Sequence, residues 1–254
     1  NYIGLYGFRV RRLQVSLRIR KVQEPCGLID HVKISHMKID IPINSFKAAI
    51  FDMDGTMINN MAYHKKAWQT FLAQHDIHLT EKEFHNKISG KKNDQIFEIV
   101  FGRKLDKDEE RRYTEEKEAL YRKLFKPDIK EIDGLFAVID KLDKQNIKTA
   151  IATTAPAKNR DFVLKELGLQ NRFEVILGDE HVSQGKPHPE IYLETARQLG
   201  VKPGECLVFE DSPPGVISGK NAGMTVVGIL SSHSADDLRD ADYKVDDFTD
   251  ISLV

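Results

Sequence analysis

The chain is 254 residues long, 41% hydrophobic and 30% charged, with a formal net charge of −1 from 38 basic and 39 acidic side chains. That length suits one domain carrying an insertion or two small domains, and the composition excludes collagen, a coiled-coil rod or wholesale disorder. No apolar run approaches the roughly eighteen residues of a membrane span, and the charge balance lacks the basic excess of a nucleic-acid-binding protein.

Cys26 and Cys206 stand far apart with no metal-ligand spacing. This excludes a disulfide scaffold and a zinc site, and fits a reducing, cytoplasmic setting. Residues 1–36 differ from the rest: Arg9, Arg11, Arg12, Arg18, Arg20, Lys21 and Lys33 face only Glu24 and Asp30. Such a segment reads as a transit peptide, as an arm for anionic partners, or as sequence upstream of a working protein that starts at Met37. The last is the expectation adopted, with the functional chain as a monomer.

Lys47–Phe51 is an apolar run that ends abruptly in acid, as a buried parallel strand does at its carboxyl end. From Asn60 to about Lys130 the apolar residues recur at helical spacing (Met61, Ala67/Trp68, Phe71/Leu72, Ile96, Ile99/Val100, Tyr113, Leu120/Tyr121, Phe125). Strand and helix signals then alternate. Helices are predicted at 135–146, 161–169, 190–200 and 215–222, and strands at 148–153, 173–177, 206–209 and 225–229. This alternation implies parallel strands joined by right-handed crossovers. The architecture expected is α/β: a core of 37–60 and 131–254, with a helical unit, 61–130, inserted after the first strand. The Asp-rich C-terminus (Asp236, Asp237, Asp240, Asp242, Asp246, Asp247, Asp250) reads as a solvated face.

Functional groups in open α/β sheets gather beyond the carboxyl ends of the strands. Asp52-Met53-Asp54-Gly55-Thr56 follows the first strand, Thr153-Thr154 the second, and Glu210-Asp211-Ser212 the strand at 206–209. Lys186 lies in the loop Gly185-Lys186-Pro187-His188-Pro189. Together they form the inventory of a Mg²⁺-dependent phosphoryl-transfer site. Carboxylates at i and i+2 of an extended segment share a side, so Asp52 and Asp54 can flank one phosphorus, one attacking it while the other handles a proton. Asp211, with Glu210 beside it, would hold Mg²⁺ together with Asp52. Lys186 and Thr153 would supply charge and a donor to the transferring oxygens. Each piece has an ordinary reading too. Asp54-Gly55 could be a hairpin turn, Ser212-Pro213 a helix start, Lys186 a solvated lysine, and Thr153-Thr154 a strand end. Only their order and shared position favour the site.

FDMDGT, TAIATT, GKPHPEIY and LVFEDSPPGVISGKNAG, in that order, resemble the four motifs of the haloacid dehalogenase (HAD) superfamily. The resemblance implies a Rossmann-like core with a helical cap. It makes Asp52 the nucleophile that forms an aspartyl-phosphate, and Asp54 the general acid/base whose carbonyl also binds Mg²⁺. Thr153, Thr154 and Lys186 would bind phosphate; Asp211 would bind the metal, joined by Glu210. NNMAYHKKAW and EDSPPG are similar to the branch of β-phosphoglucomutase and sugar-phosphate phosphatases, with His64 at the hinge and Lys117 as a cap lysine. Where the mutase pattern has a phosphate-binding arginine, this chain has Asn93, with Lys91 and Lys92 as point charges that cannot supply a bidentate guanidinium. The expected activity is therefore a phosphatase acting on a small phosphorylated metabolite. A phosphomutase is the alternative, and a non-catalytic binding module a third reading.

Overall fold

Side-chain alternation in one short strand divides the core into two layers. The computed structural model describes residues 38–88, 91 and 93–254; the extension 1–36, Met37 and Lys92 lie outside the described residues. In β2 (Ala48–Phe51), Ala49 and Phe51 enter one hydrophobic cluster and Ala48 and Ile50 the other, as a period of two requires. The strand is buried on both faces and pairs in parallel with β3 (Lys148–Ala152) on one side and β5 (Cys206–Glu210) on the other.

With β4 (Val175–Leu177), β6 (Thr225–Ile229) and β7 (Tyr243–Val245) they form a parallel sheet of order β4-β3-β2-β5-β6-β7. The order reverses between β2 and β5, which opens a crevice at their carboxyl ends. A separate parallel pair joins β1 (Ile39–Ile41) to β8 (Ile251–Leu253).

Four helices, α1 (Met61–Gln74), α2 (Glu81–Lys87), α3 (Asn93–Phe101) and α4 (Lys107–Phe125), stand between β2 and the rest of the core. They bury a cluster of their own around Trp68, Phe71, Phe84 and Phe97. Capping boxes start α2 (Thr80/Glu83) and α4 (Asp106/Glu109), satisfying amide donors a helix start leaves open. The two connectors run side by side: Ile58 bridges Glu131, and the Ile132 N–H donates to the Met57 carbonyl at 2.9 Å.

The core helices are α5 (Leu135–Lys144), α6 (Ala157–Glu166), α7 (Glu190–Leu199) and α8 (Pro213–Asn221). Helix α7 buries Ile191, Tyr192, Thr195, Ala196 and Leu199 and ends at Gly200, whose φ of 68° suits a C-terminal cap. On the opposite face Phe51 stacks on Phe209 at 4.7 Å; truncating such a buried ring costs about 3–5 kcal/mol.

The insert follows the first strand of the main sheet, as expected, and a short strand that was not expected, β1, lies ahead of it and pairs with the far C-terminus. Two expectations need correction. Helix α6 starts at Ala157, four residues before the predicted 161, since Pro156 is its N-cap residue. The acidic C-terminus is not simply a solvated face: it contains β7 and β8, Asp250 is buried, and Asp242 takes both a Lys220 ion pair and the Val226 N–H.

Candidate active site

The carboxyl edge of the sheet carries the chemistry. Asp52 leaves the end of β2, Glu210 closes β5 with Asp211 next, and Lys186 comes from the loop between β4 and α7. The Lys186 side chain is 6% exposed, and its ammonium donates to Asp52 Oδ1 at 2.6 Å, Glu210 Oε1 at 2.7 Å and the Ala152 carbonyl at 3.1 Å. Those three bonds use all three of its donors. They also draw together the ends of β2, β3 and β5. Asp52 Oδ2 carries no hydrogen bond among the described residues.

Glu210 is fully buried and saturated. Its Oε1 accepts from Lys186 and from the Tyr192 hydroxyl at 3.0 Å; its Oε2 accepts from Asp211 N–H, Ser212 N–H and Ser212 Oγ, each at 3.0 Å. Ser212 also accepts the Gly215 N–H as the N-cap of α8, so its two roles coexist. A β-carbon on Gly215 would lie 1.7 Å from Glu210 Oε1, so no larger residue fits beside that carboxylate. Gly55 does the same for Asp211: its φ is +81°, and a β-carbon there would lie 2.1 Å from Asp211 Oδ2. Asp211 Oδ1 accepts from Thr56 Oγ1 at 3.2 Å, and its Oδ2 accepts from Ser232.

Asp54 faces the helical insert. Its Oδ1 accepts from Asn60 Nδ2 at 2.7 Å, and its Oδ2 lies 3.7 Å from His64 Nε2. Asn60 Nδ2 also donates to the Tyr121 hydroxyl at 2.6 Å, and the His64 ring stacks on Tyr121 at 3.9 Å. Lys117 donates to His64 Nδ1 at 3.0 Å and to Glu118 Oε1 at 2.9 Å. Glu118 Oε2 then accepts from Asn159 Nδ2, on α6, at 2.8 Å. A continuous polar chain thus links Asp54 through α1 and α4 to a core helix.

Burial pushes the Asp52 carboxyl well above its usual range; Lys186 opposes this, while Glu210 and Asp211 add to it. Asp211 is pushed up to about 7 by burial and by Glu210, against the hydroxyls of Ser232 and Thr56. For Lys186, burial works downward but Asp52 and Glu210 win, so its charge is secure. For Asp54, burial works upward, but His64, Asn60 and Lys117 outweigh it and hold the carboxyl below its usual value. Oxygens of Asp52, Glu210 and Asp211 all lie within 4.8 Å of one another. Three buried carboxylates against one ammonium leave negative charge uncompensated, and a hard divalent cation fits such an oxygen cluster.

The structure therefore brings Asp52, Lys186, Glu210 and Asp211 together, with Asp54 two residues along. Thr153 is 1% exposed, follows the Ala152 carbonyl bound by Lys186, and accepts the Ala155 N–H on Oγ1 at 3.1 Å; Thr154 is exposed. Lys91 is exposed and donates to the Asn86 carbonyl, and Asn93 Nδ2 reaches Glu118 Oε1 at 3.4 Å. Asn60, Tyr121 and Tyr192 were not anticipated. Tyr192 lies within GKPHPEIY, but no feature of that string says that its hydroxyl meets Glu210.

A switch-point crevice lined with carboxylates and a buried lysine, at the carboxyl edge of a parallel sheet, is where an α/β enzyme places its active site. The sequence profile of the haloacid dehalogenase-like hydrolase family matches residues 49–229, and the chain belongs to that family. The phosphorylated carbohydrates phosphatase of Thermotoga maritima is 31% identical to it over 191 residues, covering 73% of this chain and 86% of that protein. The beta-phosphoglucomutase of Bacillus subtilis is 29% identical over 197 residues, covering 72% and 83%. A crystal structure of a HAD hydrolase, family IA, variant 3, from Entamoeba histolytica matches with a TM-score of 0.74 at 30% identity, covering 82% of this chain and 96% of that one.

Proposed function

We propose that the chain is a Mg²⁺-dependent phosphatase of small phosphorylated metabolites, sugar phosphates above all, working through an aspartyl-phosphate on Asp52. The observation that carries this reading is the Asp52 carboxylate itself: Lys186 grips Oδ1 at 2.6 Å and leaves Oδ2 without a hydrogen bond, two residues from a second carboxylate. Similarity to a carbohydrate-phosphate phosphatase supports the substrate class.

Asp52 Oδ2 attacks the phosphorus, the phosphorus–oxygen ester bond breaks, and Asp54 gives its proton to the departing alcohol oxygen. In the second half Asp54 takes a proton from water, the water oxygen attacks the phosphorus, and inorganic phosphate leaves with Asp52 restored. His64 and Asn60 favour the ionised Asp54 that this half requires. An incoming phosphate acts the other way, raising its pKa so that it can first carry a proton. Lys186 and the Thr153 hydroxyl neutralise and orient the transferring oxygens. Asp52 and Asp211 would hold Mg²⁺, with the Asp54 carbonyl; the ion supplies charge neutralisation for the phosphoryl oxygens. Glu210, its oxygens already taken, holds Lys186 and the Asp211 loop in place.

The test is phosphate release from a panel of sugar phosphates with Mg²⁺. The native chain is expected to turn over at least one of them, and Asp52→Asn none. Interconversion of a hexose 1-phosphate and 6-phosphate without net phosphate release would replace this reading with a mutase. No reaction on any monoester would remove it.

A further inference from the structure

The loop after β6 touches both carboxylate-bearing segments, and neither composition nor motif pointed to it. Ser231 Oγ donates to the Gly55 carbonyl, and Ser232 Oγ donates to Asp211 Oδ2 and lies 3.5 Å from the Asp211 carbonyl. His233 Nδ1 lies 3.0 Å from that same carbonyl and 3.0 Å from Ser232 Oγ. Since the Ser232 proton is directed at Oδ2, the tautomer that satisfies the set carries its hydrogen on Nδ1 and donates to the Asp211 carbonyl.

The loop has further anchors at both ends. At one end the Leu230 N–H donates to the Val245 carbonyl at 2.9 Å. At the other, Ser234 and Asp237 cap each other, and Leu238 is fully buried. The loop is held at both ends by these anchors, and its hydroxyls are spent on Asp211 and Gly55. Each Asp211 oxygen has two lone-pair sites, and one hydroxyl takes one site on each: Thr56 on Oδ1, Ser232 on Oδ2. This fixes the plane of the carboxylate and leaves one site per oxygen open. Neither donor carries a charge, so the negative charge of Asp211 is oriented without being cancelled.

We propose that Ser232, supported by His233, is a positioning residue that presents Asp211 to the divalent cation and sets the protein's affinity for it. The proposal rests on the metal-dependent reading above and adds to it a part of the chain that no motif includes. Hydrogen-bond partners of metal-binding carboxylates commonly set affinity by 10- to 100-fold.

The experiment is calorimetric titration of Mg²⁺ into the metal-stripped full chain, alongside metal-free melting curves and the Mg²⁺ dependence of turnover. Ser232→Ala is expected to weaken Mg²⁺ binding about 10- to 100-fold, lower the metal-free melting temperature by only a few degrees, and regain the native rate at saturating Mg²⁺. Ser232→Thr keeps the donor and should restore affinity. If Ser232→Ala does not fold, Ser232→Cys, with its weak donor, is expected to show the same loss. Native affinity in Ser232→Ala, with binding abolished in Asp211→Asn, would overturn the positioning role and leave the metal site standing. No Mg²⁺ binding by the native chain would overturn both.

Discussion

Lys186 is the counter-charge for two buried carboxylates, and its removal has a magnitude that follows from that arrangement. In Lys186→Met the Asp52 and Glu210 carboxylates lose their shared ammonium, whose side chain is only 6% exposed, and the Ala152 carbonyl loses a donor. Breaking a buried pair by removing one member costs about 3–5 kcal/mol, because the other charge stays buried without its partner. For a domain of this size each kcal/mol shifts the melting temperature by about 2–4 °C, so a fall of about 6–20 °C is expected in metal-free buffer. Urea denaturation of the native chain, Lys186→Met, Glu210→Gln and the double variant completes a cycle. Glu210→Gln removes one of the two stranded charges, so the double variant should be more stable than the sum of the singles by about 1–3 kcal/mol. Strictly additive losses, or a Lys186→Met loss below about 1 kcal/mol, would refute the claim that this lysine balances the site.

Gly55→Ala should be nearly inactive: its β-carbon would lie 2.1 Å from Asp211 Oδ2, so the carboxylate must move, and a misplacement near 1 Å costs about 100-fold in kcat/KM. Steady-state phosphate release measures this, and a rate within threefold of native would contradict the packing argument. Glu118 has its pKa lowered: burial works upward, but Lys117, His64 and Asn159 outweigh it. A depressed pKa contributes stability that is present above the unfolded value near 4.5 and lost as pH falls through the folded one. Glu118→Gln should therefore flatten the acid limb of a stability–pH curve while lowering stability at neutral pH; a parallel curve would count against the network. Cys206 is fully buried, with its thiol pushed up to about 11 by burial and by Glu205. In a Cys26→Ser background it should resist iodoacetamide at neutral pH until urea unfolds the chain, and rapid alkylation of the native protein would refute that placement.

The chemistry at the strand ends was legible because it depends on local sequence: each acidic or hydroxyl cluster directly follows a short apolar run, and parallel strands bring those ends to one edge. What was not legible depends on partners far along the chain. Strands β1, β7 and β8 have three residues each, too few for periodicity, and β1 meets β8 more than two hundred residues away. Lys117 illustrates the limit for side chains. The resemblance makes it a cap lysine; in the structure it is 3% exposed, bonded to Glu118 and His64 and lying over the Trp68 ring at 5.3 Å. Only the packing of α1 against α4 reveals that. Asn60 marks the start of the helical unit in the sequence, and only the fold shows that it ties Asp54 to Tyr121.

Glu210 shows why residue type and position alone do not assign a role. Sequence places it beside Asp211 as a second ligand, and its oxygens do lie within 4.8 Å of the other two carboxylates. A carboxylate offers about four lone-pair sites, and five donors already converge on Glu210: Lys186, Tyr192, the Asp211 and Ser212 amides, and the Ser212 hydroxyl. A cation at Glu210 would have to displace one of them, and each is itself part of the site. Asp52, with Oδ2 open, and Asp211, with one hydroxyl on each oxygen, need displace nothing. On this reading the division of labour among three adjacent acids is set by how many donors the fold aims at each. Replacing Tyr192 with Phe would leave Lys186 as the one remaining donor on Glu210 Oε1, opening a site on that oxygen without altering the charge.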